Sequence, residues 1–284
     1  MFWFNGEIRE EVKIDVLNHS LHYGSAVFEG IRCYETTKGP AVFRLKEHIK
    51  RLFHSAEVMG MSVPYSQKEI LSAVKEVVKV NGFKECYIRP IFFYGEKMGL
   101  LPKEAPVNCV VAAWPWGKYL KKDAVAVKIS SFSRITPHSL VMTAKVSGHY
   151  VNSIIASLEA NREGCDEALL LDEEGCVAEG PGENIFFVKG DVFYTPKKGL
   201  ILPGITRDSV IEIIKEKGYA VEEIKIKRED LQNYDEAFFV GTAVEVNAIA
   251  SIDDTVFSCR EKTEEIKEAY NDAVRNNEKW ISYV

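Results

Sequence analysis

The sequence predicts an α+β protein built from two domains. Short apolar or alternating segments typical of strands are interleaved with amphipathic helical patterns through the first hundred or so residues. In the second half, successive strands are joined by tight turns, and such short connections require antiparallel pairing. A polar segment, GKYLKKDA, interrupts the apolar pattern at 117–124. We therefore predict a small N-terminal α/β domain over 1–116, this linker, and a larger, mostly antiparallel domain over 125–284.

Local patterns place the elements of the first part. The stretch FWFNGEI reads as two strands around an Asn5-Gly6 turn. A helix follows in LKEHIKRLFHSAEVMGM, and a second helix begins with the capping-box pair Ser66 and Glu69 and ends at Gly82. Two further strands, ECYIRPIFFY and VNCVVAAWPW, complete this part.

The second part restarts with a strand at VAVKISSFS. A helix after Lys145 has one apolar face and closes at Gly164; the face consists of Val151, Ile154, Ile155 and Leu158. Strands then follow one another with turns at Glu174-Gly175 and Gly190-Asp191. Two helices, TRDSVIEIIKEKG and REKTEEIKEAYNDAVRN, complete the chain.

Composition excludes several classes of function. The 284 residues are 46% hydrophobic and 27% charged, with a formal net charge of −6 and no basic stripe, so no nucleic-acid partner is expected. The longest apolar run, near 107–116, is too short to span a membrane, and the N-terminus lacks the pattern of a signal peptide. The six cysteines form no C-x-x-C pair and the six histidines no H-E-x-x-H. We expect a cytoplasmic protein with reduced thiols and no metal.

Two turns have the composition of an anion site. In LPGITRD, Gly204 follows a strand and Thr206 is placed to cap a helix, whose first N–H groups and dipole favour a phosphate. In FFVGTAVEV, a strand runs into Gly241-Thr242-Ala243, which exposes N–H groups and a hydroxyl. Each turn alone is more often a simple connection, but two in one domain favour a cradle for a polyanion.

A carboxylate and a lysine add two further chemical functions. The loop AEGPGENIF holds Glu179 and Glu183 among glycines, so a carboxylate there is able to approach a ligand. Lys145 lies between small residues in TAKVSGHY, five residues before Tyr150. A solvated hairpin and a surface lysine are the plain alternatives. Together, however, an amine, an acid, an anion cradle and a phenol are what pyridoxal 5'-phosphate requires.

The chain resembles the branched-chain amino acid aminotransferases, pyridoxal-phosphate enzymes of fold type IV. The resemblance rests on motifs in the family's order: NHSLHYGSAVFEGIRCYE, YIRP, TAKVSGHY, DEALLLD, AEGPGENIF, LPGITRD and GTAVEV. It implies reversible, ping-pong transfer of an amino group between L-leucine, isoleucine or valine and 2-oxoglutarate. Alternatives within the same fold are a D-amino acid aminotransferase and an aminodeoxychorismate lyase. A noncatalytic binding module is the alternative from another class.

The resemblance also assigns residue roles. Lys145 corresponds to the lysine that binds the cofactor covalently and carries the substrate proton. Glu179 corresponds to the partner of the pyridine nitrogen, and Tyr150 to the residue beside the ring hydroxyl. The phosphate positions are Arg51, Ile205, Thr206 and Thr242. Helical periodicity alone places Arg51 opposite the apolar face of its helix, where an arginine would be exposed.

For the substrate, the resemblance assigns carboxylate positions to Tyr87, Arg89, Thr242 and Ala243. Positions that line the aliphatic side chain are Phe28, Gly30, Trp116 and Tyr119, for which core packing is the plain alternative. Tyr23 and Leu100 match residues donated by a second subunit. The resemblance therefore implies a homodimer, or a higher homo-oligomer, as the active form.

Overall fold

The structure is a computed structural model that describes residues 1–284 and contains two β-sheets with six α-helices. The helices are α1 (His19–Tyr23), α2 (Leu45–Val58), α3 (Gln67–Val80), α4 (Tyr150–Arg162), α5 (Ile205–Glu216) and α6 (Glu261–Asn276). Short 3-10 helices occupy Ser147–His149 and Arg228–Asn233. The predicted α+β composition is confirmed, and no helix is both long and apolar enough to cross a bilayer.

The strands divide evenly along the chain. The first seven are β1 (Phe2–Phe4), β2 (Glu7–Arg9), β3 (Val27–Phe28), β4 (Ile31–Thr36), β5 (Gly39–Phe43), β6 (Cys86–Tyr94) and β7 (Val107–Trp114). The next five are β8 (Ala124–Ile129), β9 (Glu167–Leu171), β10 (Val177–Glu179), β11 (Asn184–Lys189) and β12 (Val192–Pro196). The last five are β13 (Ala220–Ile224), β14 (Glu236–Gly241), β15 (Glu245–Ile252), β16 (Thr255–Val256) and β17 (Ile281–Tyr283).

The chain forms two compact units that are not continuous in sequence. The first contains Met1–Gly117, Ala144–His149 and Ala273–Val284, and the second contains Lys118–Thr143 and Tyr150–Asp272. This division differs from the predicted 1–116, 117–124 and 125–284. Two backbone pairings explain the difference: β17 pairs with β5, and Val146 forms a bridge with Val27. Neither long-range pairing leaves a mark in local sequence patterns.

The first unit is an antiparallel sheet with helices α2 and α3 packed on it. The order is β17-β5-β4-β6-β7-β1-β2, and β3 pairs with β6. The β1–β2 turn at Asn5-Gly6 and the Ser66–Glu69 capping box are present as predicted. The core contains the apolar helix faces, represented by Ile49 and Val74, against sheet residues such as Phe92. This packing fixes the start of β4 and the middle of α2 relative to each other.

The second unit has a mixed sheet in which antiparallel pairs predominate. Its order is β10-β9-β8-β15-β14-β11-β12-β13, with β16 beside β15. The β9–β10 and β11–β12 hairpins are antiparallel, as their short turns predict, whereas β8 lies parallel to both of its neighbours. Fully buried residues such as Phe187, Phe239 and Ile249 fill the core of this unit.

Helix α4 buries the opposite face from the apolar one. Its buried residues are Ser153, Ala156 and Ala160, and the two alanines pack against β9. The predicted apolar face is exposed in the single chain: Val151 is 58% and Ile154 56% exposed, and Ile155 and Leu158 are exposed as well. Small residues such as these alanines let a helix lie close to a sheet. The larger apolar residues of α4 therefore form its outer surface, and they do not contact the core.

Helix α5 begins two residues earlier than a Thr206 cap would require. Its N-cap is Gly204 in an extended conformation, and Ile205 and Thr206 are its first two residues. The predicted capping role of Thr206 is therefore wrong, although Val210, Ile213 and Ile214 form the buried face as predicted. The N-cap is the last residue with an extended backbone before the helix, and here that residue is Gly204.

Candidate active site

Lys145 is fixed through its backbone in the first unit. Its N–H donates to Ser55 Oγ at 2.9 Å, and its carbonyl accepts from the N–H of Phe28 at 3.2 Å. The side chain is half-buried, and Nζ lies 5.1 Å from the centre of the Phe28 ring. These two hydrogen bonds fix the main chain of Lys145 and do not involve its side chain. The amine therefore extends from a fixed backbone position beside the Phe28 ring.

An aromatic wall surrounds Arg89 in the same unit. The guanidinium carbon lies 4.5 Å from the centre of the Phe28 ring, and Nη2 donates to the hydroxyl of Tyr87 at 3.2 Å. The Tyr87 ring in turn contacts Trp114 and Trp116, at centroid distances of 5.3 and 4.4 Å. Nε of Arg89 is buried and has no hydrogen-bond partner within the chain. A buried cationic donor without an acceptor is unfavourable, which points to an anionic ligand.

Gly30 is required for this wall to close. A Cβ atom at position 30 would lie 2.0 Å from the Tyr87 hydroxyl oxygen. Any side chain would therefore displace Tyr87 and, with it, the hydrogen bond to Arg89. The predicted substrate residues Phe28, Gly30, Tyr87, Arg89 and Trp116 are thus brought together in one cluster of the first unit, as the sequence-based assignment requires.

Arg51 does not lie in solvent as helical periodicity predicts. Its side chain is 12% exposed and forms a bidentate pair with the fully buried Glu29, from Nε to Oε1 at 2.6 Å and from Nη2 to Oε2 at 2.8 Å. His48, one helical turn earlier, contacts Oε2 of Glu29 through Nδ1 at 2.7 Å. The prediction from periodicity is wrong because the partner comes from the β3–β4 connection and not from the helix.

In the second unit, Glu179 lies at the centre of a hydrogen-bond network. Its Oε1 accepts from Arg134 Nε at 2.8 Å and its Oε2 from Asn184 Nδ2 at 3.0 Å. The N–H of Leu202 lies 3.2 Å from both oxygens. Glu179 is 4% exposed, so these donors replace water and fix the orientation of the carboxylate.

The start of α5 lies directly beside this network. A Cβ at Gly204 would come within 1.9 Å of Asn184 Oδ1, so only glycine fits at the N-cap. The first intrahelical bond runs from Asp208 N to the Gly204 carbonyl at 3.0 Å, so the N–H groups of Ile205 and Thr206 precede the helical ladder. The helix therefore presents an N-terminus with the Thr206 hydroxyl in its first turn.

The turn after β14 packs against the glycine loop that follows Glu179. A Cβ at Gly241 would lie 3.3 Å from the Gly182 carbonyl oxygen, so the two backbones are close at this point. Thr242 and Ala243, which follow in the turn, are half-buried. Glu183 is buried, and its Oε2 accepts from the N–H of Gly182 at 2.9 Å. Glu183 thus shapes its own loop.

Tyr150 and Tyr119 line one cavity of about 310 Å³ in the second unit. Other lining residues come from α4 and from the loop at Pro181-Gly182. Tyr119 is 43% exposed and is placed in this unit, whereas its predicted companion Trp116 packs on Tyr87 in the first unit.

Tyr23 and Leu100 form part of an exposed apolar surface on the first unit. The loop around Leu100 is attached to α1, because Gly99 N donates to the Tyr23 hydroxyl at 3.3 Å and His19 Nε2 contacts the Gly99 carbonyl at 3.0 Å. Leu100 is 85% and Tyr23 40% exposed. We call this surface the α1–loop patch; its members are Leu17, Leu21, Tyr23, Met98, Leu100 and Leu101.

Sequence reasoning missed four side chains of these clusters: Glu29, His48, Arg134 and Asn184. One usable signal exists, since His48 and Arg51 are three residues apart and share a helix face. Arg134 lies in a polar loop 45 residues before Glu179, and no local pattern connects the two.

The described groups fit pyridoxal 5'-phosphate. The first unit offers an amine beside a ring and a fixed guanidinium, and the second offers an oriented carboxylate, a helix N-terminus and two threonine hydroxyls. The glycine at the helix start admits no Cβ, as expected for a backbone that approaches an anion. These groups fit the class of pyridoxal-phosphate-dependent enzymes.

Comparison with known proteins agrees with this class. The family model for amino-transferase class IV matches residues 26–252, and the chain belongs to this family. It is 43% identical to a branched-chain-amino-acid aminotransferase of Pseudomonas aeruginosa over 96% of this chain and 92% of the relative. The Escherichia coli K12 protein of the same description is 42% identical over 88% and 84%.

Solved structures of the same description share the fold. A branched-chain amino acid aminotransferase from Thermoproteus uzoniensis, solved with norvaline, has a TM-score of 0.95 at 42% identity, covering 99% of this chain and 98% of that one. The Escherichia coli enzyme has a TM-score of 0.95 at 39% identity, with the same two coverages. A third such enzyme, complexed with N-(5'-phosphopyridoxyl)-L-glutamate, has a TM-score of 0.95 at 46% identity, covering 99% and 97%. The predicted α+β, fold-type IV architecture is confirmed.

Proposed function

We propose that the protein is a branched-chain amino acid aminotransferase that uses pyridoxal 5'-phosphate bound to Lys145. It transfers the amino group of L-leucine, isoleucine or valine to 2-oxoglutarate, and it runs in both directions. The relatives described above carry this activity in their names and cover nearly the whole chain. The aromatic wall around Arg89 carries the substrate assignment, because it offers an apolar surface and a single buried cationic donor in one place.

The first unit supplies the reacting amine and most of the substrate contacts. Lys145 binds the cofactor covalently, and Arg51 donates to its phosphate. Phe28, Gly30 and Trp116, with Tyr119 of the second unit, contact the aliphatic side chain. Tyr87 and Arg89 bind a substrate carboxylate, as do Thr242 and Ala243.

The second unit holds the remaining parts of the cofactor. The N–H groups of Ile205 and Thr206 and the hydroxyl of Thr242 donate to the phosphate, where the positive end of the α5 dipole favours an anion. Glu179, fixed by Arg134 and Asn184, keeps a proton on the pyridine nitrogen. Tyr150 donates to the ring hydroxyl oxygen. When bound, the cofactor supplies an electron sink for charge that develops at the substrate α-carbon.

The residues of the chain then carry the proton. Nζ of Lys145 would accept the α-proton of the amino acid and hold it for return to the reacting bond. Glu179 acts as an acceptor, because three donors, Arg134, Asn184 and the N–H of Leu202, point at its two oxygens. The backbone contacts of Lys145 limit its movement to the side chain. The reverse sequence with a second keto acid completes a ping-pong cycle.

Amino transfer from L-leucine to 2-oxoglutarate, followed as glutamate formed, tests the proposal directly. We expect activity with leucine, isoleucine and valine and none with D-alanine. Activity on D-alanine alone would instead make the protein a D-amino acid aminotransferase, and pyruvate release from aminodeoxychorismate would make it a lyase.

Arg89→Ala is expected to separate the two half-reactions. The substitution removes the cationic donor for the side-chain carboxylate of glutamate and 2-oxoglutarate, so kcat/KM for these substrates should fall about 10- to 100-fold. The leucine half-reaction should fall less than about fivefold, since leucine has no second carboxylate. Single half-reactions followed by cofactor absorbance measure both values. Equal losses in both half-reactions would contradict the role of Arg89. Arg89→Lys is the control variant that keeps the positive charge but lacks the paired N–H donors of the guanidinium.

We further propose that the active form is a homodimer. The α1–loop patch exposes six large apolar or aromatic side chains, and the outer face of α4 exposes four more. Large apolar side chains exposed together on a surface are typical of interfaces between subunits. A second copy of the chain is the occupant that the resemblance indicates, with Tyr23 and Leu100 reaching the partner's substrate pocket.

Subunit complementation tests this arrangement. A Lys145→Ala chain and a Leu100→Asp chain, each impaired alone, are co-expressed with different tags and purified as a heterodimer. One site of that heterodimer combines an intact Lys145 with an intact Leu100, so activity should return to about half of the wild-type value. If Leu100 serves its own subunit, the heterodimer will be no more active than the Leu100→Asp protein. Sedimentation of each parent variant gives its assembly state.

The cytoplasm remains the predicted compartment. All six cysteines are free thiols, and four of them are buried, which fits a reducing environment.

A further inference from the structure

Glu29 is a buried carboxylate to which the proposed reaction assigns no role. It lies in the connection between β3 and β4 and is fully buried. Its own N–H donates to the Pro90 carbonyl at 2.9 Å, so its backbone is anchored to β6. A fully buried carboxylate is unfavourable unless it is paired with donors or a positive charge. The partners of Glu29 therefore indicate what the side chain does in the structure.

Both partners come from one face of α2. His48 and Arg51 are one helical turn apart, and both reach the Glu29 carboxylate within 2.8 Å. Burial alone would raise the pKa of Glu29, but the charge and hydrogen bonds of Arg51, with those of His48, lower it well below its usual range. The carboxylate is therefore ionised and only accepts, so His48 Nδ1 carries the proton that it shares with Glu29.

His48 supports the carboxylate as a neutral group. Burial lowers the pKa of His48, and the charges of Arg51 and Lys145 lower it further, against the opposing effect of Glu29. With His48 neutral, the formal charges of Glu29 and Arg51 cancel. The Arg51–Glu29 pair therefore has no net charge. What Arg51 binds is then determined mainly by the direction in which its N–H groups point.

The bidentate contact restricts the guanidinium strongly. Two parallel N–H···O bonds fix both the plane and the rotation of a guanidinium, and they engage two of its five N–H donors. Without Glu29, a long arginine side chain would sample several rotamers and would have to be ordered by the ligand itself. Pre-orientation of Arg51 would therefore increase affinity only for a ligand that this guanidinium contacts.

We propose that Glu29 and His48 are positioning residues that hold Arg51 in the orientation required by the cofactor phosphate. The proposal rests on the proposed function in one respect, since that function assigns Arg51 to the phosphate. It adds that the phosphate site extends to a buried carboxylate and a buried histidine that do not contact the cofactor.

The test compares pyridoxal 5'-phosphate with pyridoxal, which lacks the phosphate. Glu29→Gln keeps the side-chain shape but removes the charge and one acceptor. The dissociation constant for pyridoxal 5'-phosphate, measured by titration of the cofactor-free protein, should rise about 10- to 100-fold. The dissociation constant for pyridoxal should change less than about threefold. A purely structural role would weaken both ligands equally or neither.

Two further variants keep the proposal testable if Glu29→Gln folds poorly. His48→Asn retains a donor near the position of Nδ1 and should stay close to wild type, whereas His48→Leu should weaken pyridoxal 5'-phosphate selectively. In an Arg51→Met background, Glu29→Gln should not weaken binding of pyridoxal 5'-phosphate any further, because Glu29 acts only through Arg51. Glu47→Gln is the control variant: it likewise removes one negative charge, but from a residue on α2 that pairs with Arg44.

The outcomes separate the two proposals. Equal weakening of pyridoxal and its phosphate by Glu29→Gln, or full additivity with Arg51→Met, would contradict the positioning role. If borohydride fails to attach the cofactor to Lys145 of the wild-type protein, the proposed function itself fails, whatever Glu29 does.

Discussion

Replacement of Lys145 by alanine is expected to reduce the rate of amino transfer by about 10³- to 10⁴-fold or more, because it removes both the cofactor bond and the proton carrier. The protein should fold normally. The contacts of residue 145 with Ser55 and Phe28 run through its backbone and survive the change. Single-turnover kinetics with L-leucine and the absorbance spectrum of the purified variant measure the effect.

Borohydride reduction supplies the control for Lys145. Treatment of the wild-type protein should attach the cofactor to one peptide, the one containing Lys145, and the Lys145→Ala protein should remain unlabelled. Lys145→Arg keeps a positive charge at the position and should be as inactive as the alanine variant. Labelling of a different lysine in the wild-type protein would rule out the assignment.

Glu179→Gln is expected to lower kcat by about 10²- to 10³-fold, because the pyridine nitrogen loses the charged partner that keeps it protonated. Affinity for the cofactor should change much less, since the phosphate contacts remain. The absorbance of the bound cofactor should also change with pH in a way that the wild type does not show. Unchanged kcat and spectrum would remove Glu179 from the site.

The control for Glu179 concerns its arginine partner. Arg134 is 10% exposed, so loss of the carboxylate alone leaves a buried charge without compensation and can destabilise the protein by about 3–5 kcal/mol. The double variant Glu179→Gln with Arg134→Gln restores charge balance. If its kcat stays as low as that of the single variant while its thermal stability recovers, the catalytic effect is independent of folding.

Local patterns account for much of the fold. The Ser66–Glu69 capping box, the Asn5-Gly6 turn and the β9–β10 and β11–β12 hairpins are all present where residue chemistry predicts them. These features depend on interactions between residues that are near in sequence. The assignment of Ala144–His149 and the last strand to the first unit depends on pairing across more than a hundred residues, and no local signal encodes it.

The site shows the same limit in a different form. Lys145, Glu179 and the two turns were singled out because an amine, an acid and an anion cradle together match what pyridoxal 5'-phosphate requires, although each alone has a plainer explanation. Arg51 was predicted from periodicity to be exposed, because a helical wheel records only its own helix and not Glu29 on a neighbouring segment. Likewise, the N-cap at Gly204 depends on Asn184, which occupies the space of the missing Cβ.

Asn184 connects the two ends of the proposed cofactor site in the second unit. Its amide donates to Glu179 and to the carbonyl of Leu202, while its oxygen packs against Gly204 at the helix start. One side chain thus contacts both Glu179, the proposed partner of the ring nitrogen, and the start of α5, the proposed phosphate site. The distance between these two contacts has to match the length of the ligand. Insertions between Glu179 and Thr206 should therefore be tolerated far less than substitutions in the aromatic wall around Arg89.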